Sequence, residues 1–145
     1  MIRKKAKQIA TEQKKDLIII DGSPGIGCPV IASISGADFV LAVTEPTIAA
    51  QHDLDRVIEL TEHFKIPTAI CINKFDINCE VAKAIEDKVN QKSLKVIGKI
   101  AYDIAVTKAQ IAAKSIVEYS SNGLKDQVIS LWESVLDMLS TRETK

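Results

Sequence analysis

Residues 16–25 read "DLIIIDGSPG". The run Leu17–Ile20 passes without interruption into Asp21, and the turn Gly22-Ser23-Pro24-Gly25 follows at once. Apolar β-branched residues that do not alternate with polar ones suit a strand covered on both faces. An acid at the end of such a strand stands at its open end. Three similar runs lie downstream: "FVLAV" at 39–43, "TAICI" at 68–72 and "KVIGKI" at 95–100.

Helical patterns separate the runs. Ile2, Ala6, Ile9 and Ala10 form a stripe before the first. Leu54, Val57, Ile58 and Phe64 form another, with Pro67 as its stop signal. Asn78 is placed to cap a third helix, with the stripe Val81, Ala84, Ile85 and Val89. "SSNG" at 120–123 divides a shorter helix near 104–115 from a last one carrying Leu124, Val128, Leu131, Trp132, Val135 and Leu139. Strand and helix alternate, so the expected fold is α/β. It is an open, mainly parallel sheet of about four strands with helices on both faces, a Rossmann-like three-layer arrangement. One domain, 1–145, is expected for a chain of 145 residues.

The composition narrows the function classes. Lys plus Arg equals Asp plus Glu at 19 each. No nucleic-acid partner is expected, because such partners select a basic excess. The basic cluster "RKKAKQ" reads as a solvated helix face. Cys28, Cys71 and Cys79 form no C-x-x-C pair, so neither a disulfide framework nor structural zinc is indicated. Cys28 reads as a small packed thiol. His52 and His63 are eleven residues apart, which is no ligand spacing. The charged N-terminus does not read as a signal peptide, and no run approaches the ~20 apolar residues of a transmembrane segment. A cytoplasmic protein is expected.

In open α/β sheets the ligand sits beyond the carboxyl ends of the strands. The segments to weigh are therefore "DGSPGIG", "TEPT", "NKFD" and "AYD". Asp21 can hold magnesium, directly or through water, with the metal bridging to phosphate; it can also cap the next helix. Gly22, Gly25 and Gly27 let backbone N–H groups approach an anion, and Pro24 stiffens the turn. Asn73 offers the donor and acceptor that a purine edge requires, and the Lys74 stem can lie along the ring. The same residues also make an ordinary polar turn. Glu45, Pro46 and Thr47 read as a helix start. Asp103, after Tyr102, can cap a helix or present its backbone to a base.

Taken together, "DLIIIDGSPGIGCPVIASISGADFVLAVTEPT", "HDLDRVIEL" and "INKFD" resemble the C-terminal half of the MinD/ParA-type P-loop ATPases. The nearest subgroup is the MinD-like ATPases with an inserted ferredoxin domain, related to Mrp-type iron–sulfur carriers and the nitrogenase iron protein. The resemblance implies that Asp21 is the switch II or Walker B acid near Mg2+. It implies that Gly25 senses the γ-phosphate through its amide, that Asn73 contacts adenine, and that the Ala101–Asp103 turn lies against the base. It also implies two nucleotides sandwiched in a homodimer, and an association with ferredoxin or other iron–sulfur proteins.

The chain departs from that pattern in one large respect. Its glycines stand at 22, 25, 27, 36, 98 and 123, and none belongs to a G-x-x-x-x-G-K-[ST] loop. The ferredoxin cysteines are absent too, so no iron–sulfur cluster is expected in this chain. The resemblance then implies a fragment, the second part of a split gene, or a degenerate copy. The expected function is the ATP-binding portion of such an ATPase, with ATP and Mg2+ held weakly or not at all until a P-loop-bearing partner chain completes the site. A non-catalytic module that docks on a P-loop or iron–sulfur protein is the main alternative. A receiver-like phosphoacceptor built on Asp21, Thr44 and Lys74 is another, although no strand precedes residue 16 to carry its acidic pair. "NKFD" also matches a guanine-reading motif, so the base stays open between ATP and GTP.

Overall fold

The computed structural model describes residues 2–25, 27–120 and 122–143. The chain divides into two compact units, Met1–Ser35 and Gly36–Lys145. In the first, α1 (Ile2–Glu12) and α2 (Cys28–Ile34) flank the segment that begins at Asp16. Arg3 Nη2 donates to the carbonyl of Ser33 at 2.6 Å and ties the two helices. Val30 and Ile34 are the buried residues of α2. Pro29, near the start of this helix, suits a position whose N–H needs no helical partner.

Leu17–Ile20 forms no strand. Its four side chains are 37–76% exposed. The reason is general: a strand requires a ladder, and apolar composition supplies only the side chains for one. The parallel α/β architecture is as expected, with three strands among the described residues rather than about four.

The second unit holds β1 (Val40–Thr44), α3 (Ile48–His63), β2 (Thr68–Asn73), a single 3-10 turn (Phe75–Ile77), α4 (Cys79–Gln91), β3 (Lys95–Ile100), α5 (Ala105–Ile111), α6 (Ile116–Tyr119) and α7 (Gly123–Glu143). The sheet order is β1-β2-β3, and both pairings are parallel. β2 is the centre, and Ala69, Ile70, Cys71 and Ile72 are each 1% exposed or less. That burial on both faces is why "TAICI" shows no alternation.

Side chains of a strand alternate between faces, and the two faces are covered differently. Ala42, Ile70 and Ile72 pack with Leu54 and Ile58 of α3 and Ala82, Ile85 and Val89 of α4. On the other face α7 lies against β3 so closely that Gly98 has no room for a Cβ beside Leu131. Between the partners of Ile70 and Cys71, β3 carries one extra residue, Ile97, a bulge beside that glycine. Helix starts follow their caps. The Thr47 side chain accepts from the Ala50 N–H and the Asn78 side chain from the Val81 N–H. Leu124 and Val135 are buried on α7, whereas Trp132 of the predicted stripe is 41% exposed.

Candidate functional site

Parallel pairing puts the carboxyl ends of β1, β2 and β3 at one end of the sheet, so Glu45, "NKFD" and "AYD" become neighbours there. Lys74 Nζ lies 2.7 Å from Glu45 Oε1, joining the loops after β1 and β2. Lys74 itself has φ +54° and ψ +39°, a left-handed conformation that costs a side-chain-bearing residue about 1 kcal/mol or more. The strained residue thus opens the 3-10 turn directly after Asn73. Both charges are well exposed, so the pair fixes geometry more than it adds stability.

The loop after β3 is held by side chains at successive residues. Gln127 Oε1 of α7 accepts the Ala101 N–H at 2.9 Å. Asp76 Oδ1 accepts the Tyr102 N–H at 2.7 Å. Asp103 Oδ1 accepts the Ala105 N–H at 2.7 Å, and its Oδ2 accepts from Asn122 Nδ2 at 3.1 Å. The Asp103 side chain thus closes a local turn just before α5, whose N-cap position is Ile104. Asn73 stands half-buried at the end of β2, paired in register with Ile100. Among the described residues no hydrogen bond engages its side-chain amide. Tyr102 is 54% exposed.

Asp21, Gly22, Pro24 and Gly25 belong to the first unit, where all four are exposed. Gly25 has φ +82°, so its conformation, not a lack of space, is what requires glycine. Cys28 corrects an expectation. It is exposed rather than packed, because it opens α2 and leaves the buried side to Val30 and Ile34. The packed thiol is Cys71, whose burial pushes its pKa up from 9.0 to about 11. An open groove of about 280 Å³, lined by Phe75, Cys79, Ala82, Lys83 and Glu86 among others, lies along α4 and contains none of the predicted site residues. Among the described residues no three His, Cys, Asp or Glu side chains converge as a metal centre. Among them, too, no helix is long and apolar enough to cross a membrane.

Sequence reasoning missed Asp76, Gln127 and Asn122 as supports of this end of the sheet. Asp76 was visible as the last residue of "NKFD", but its partner is 26 residues away. Gln127 gave no signal, since a lone glutamine on a helix is ordinary.

No protein-family model matches the chain. The MinD cell division protein of Aquifex aeolicus has a similar structure, with a TM-score of 0.77 and 24% identity over 92% of this chain and 58% of that one. The fold is that of the MinD/ParA-type P-loop ATPases. MinD of Aquifex aeolicus has also been solved as a MinC:MinD complex. In sequence, the chain is 33% identical over 105 residues to the septum site-determining protein MinD of Bacillus subtilis, covering 68% of this chain and 38% of that protein. An uncharacterized protein of Methanocaldococcus jannaschii is 30% identical over 133 residues, covering 92% of this chain and 44% of that protein. The chain therefore spans less than half the length of these two relatives.

Proposed function

We propose that this chain supplies the base-binding and switch segments of a MinD-like ATPase and binds ATP with Mg2+ through them. The observation that carries the reading is Asn73. It is half-buried at a central strand end, its amide is uncommitted among the described residues, and bonded loops flank it on the same end of the sheet. An amide with one donor and one acceptor side matches an adenine edge. Lys74 and the turn through Tyr102 and Asp103 would border the base. Asp21 would hold Mg2+ through water, which suits an ion that keeps several waters and takes one or two carboxylates plus phosphate oxygens. Gly25 has φ +82°, a backbone conformation open to glycine, and in this reading its amide would face the phosphate from the turn that Gly22 and Pro24 share. Bound Mg2+ would neutralise phosphate charge; the chain's own residues orient the nucleotide.

The phosphate cradle of such sites is mainly a Walker A loop with its lysine. Residues 1–145 contain no such motif. In this reading, residues 1–145 alone bind ATP weakly, and turnover needs a P-loop-bearing chain or segment. The test is a Mg2+-dependent titration of ATP and GTP by calorimetry, repeated with Asp21→Asn. Binding that Asp21→Asn weakens supports the reading. Absence of binding, together with failure of any P-loop-bearing partner to restore turnover, sinks it.

A second reading has its own observation. The exposed, ladder-free run Leu17–Ile20 suits a docking module that works without nucleotide, on a P-loop ATPase, on a ferredoxin or other iron–sulfur protein, or as MinD does with MinC. In that case Asp21→Asn leaves partner binding intact.

A further inference from the structure

The two outer strands of the sheet are finished differently. β3 is blunted. It carries exposed Lys95 and Lys99, with Lys99 Nζ 2.6 Å from Glu86 Oε2, and its bulge sits beside Gly98. Lysines and bulges keep an outer strand from pairing with another chain. β1 has neither. It reads "VLAVT", its register with β2 is unbroken, and Val43 is 61% exposed.

The open side of β1 can be placed residue by residue. The Val40 N–H turns toward β2 and donates to the Pro67 carbonyl at 3.0 Å. Backbone groups of a strand alternate in direction, so Leu41 and Val43 turn their N–H and C=O groups the other way. Among the described residues no strand pairs on that side. β1 is thus ready to accept a ladder. The same chain holds a run ready to supply one: Leu17–Ile20 is apolar and without a ladder, and Ile19 is 76% exposed. The two do not pair within one chain.

We propose that two copies of this chain exchange these segments, the Leu17–Ile20 run of each adding to the β1 edge of the other. Main-chain bonds supply the affinity, as in other strand additions. Two reciprocal pairings cover on the order of 1,000 Å², about what a specific interface needs, and a single pairing covers half of that. The reciprocal arrangement closes as a dimer, whereas one-way addition would run on as an open chain. Asp16 and Asp21 bound the run and are exposed, so their charges stay in water, where screening keeps repulsion small. The exchange needs no nucleotide and stands apart from the ATP reading.

Light scattering and amide hydrogen exchange on residues 1–145 without nucleotide test this, from low micromolar to several hundred micromolar protein. The expected result is a monomer–dimer equilibrium in which the Leu41 and Val43 amides exchange about tenfold more slowly, or slower still, in the concentrated sample. The Val40 amide, bonded to Pro67, should be protected throughout. Ile19→Lys and Val43→Lys put a charge on the run and on the edge at exposed positions, and each should weaken the dimer about tenfold or more. Protection of the buried Ile70 and Ile72 amides checks that both variants fold. A chain that stays monomeric at several hundred micromolar, with Leu41 and Val43 open, overturns the second copy as occupant and leaves the edge to a different chain. A dimer whose Leu41 and Val43 amides exchange freely, or that both variants leave unchanged, overturns the exchange. Assemblies that keep growing with concentration overturn its closure.

Discussion

Gly98→Ala is the sharpest probe of how α7 is seated. A Cβ at this position would stand 2.6 Å from Leu131 Cδ1 and 3.3 Å from both Leu131 Cβ and Cγ. Carbon atoms settle at roughly 3.5–4.0 Å, so Leu131 must change rotamer or α7 must lift from the sheet. Rotation of Leu131 alone moves Cδ1 away and leaves its Cβ tight. Overpacking of this kind costs about 1–3 kcal/mol. Against it, alanine reduces the freedom of the unfolded chain and returns about 0.4–1 kcal/mol. The net expectation is a loss of about 1–2 kcal/mol, since the clash exceeds the entropic gain. Urea unfolding followed by Trp132, the single tryptophan and a residue of α7, reads this directly. Leu131→Ala alone should destabilise, but the double variant should recover about 1 kcal/mol relative to the sum of the singles, because removing Cδ1 makes room for the new methyl. A neutral or stabilising Gly98→Ala with no coupling to Leu131 would refute the close seating of α7 on β3.

The other expectations can be checked as simply. Cys71 favours its neutral thiol in the fold, so its contribution is complete below about pH 9 and is lost as pH rises through about 11. Above that window wild type should have lost roughly 2–3 kcal/mol that Cys71→Ala does not lose, measured as the difference in urea midpoint between pH 8 and pH 11. Thiol reagents should label Cys28 and Cys79 in the native protein and Cys71 only after unfolding; rapid native labelling of Cys71 would contradict its burial. Asn78→Ala should cost about 1 kcal/mol by removing the cap on α4, and Asn78→Asp should retain most of it. Gly25→Ala should weaken ATP binding with a smaller effect on stability, since its turn is exposed and its φ is +82°; unchanged affinity would remove Gly25 from the site.

Much of this protein is written locally. β2 is legible because its continuous apolar run is buried from both sides, and β3 because its apolar residues Val96, Ile97 and Ile100 are partly buried. α3 and α4 are legible because Thr47 and Asn78 satisfy backbone groups within three residues of themselves. The candidate residues Asn73, Lys74 and Asp103 stand out in the sequence as polar residues at or shortly after the end of a strand.

Other features depend on partners remote in sequence, and only the tertiary structure decided them. Leu17–Ile20 has the composition of a strand, yet a ladder comes from a neighbour's backbone, which no side chain announces. Lys74 meets Glu45, and Asp76 meets Tyr102, because parallel strands bring their carboxyl ends to one place. The spacing of 26 residues between Asp76 and Tyr102 spans all of α4 and β3, so no local pattern encodes it. Gly98 shows the same division. The glycine is plain in the sequence, but its reason is Leu131, thirty-three positions on and pressed against the sheet by the packing of α7. Short-range bonding and burial are properties of residue order; who stands across the gap is a property of the fold.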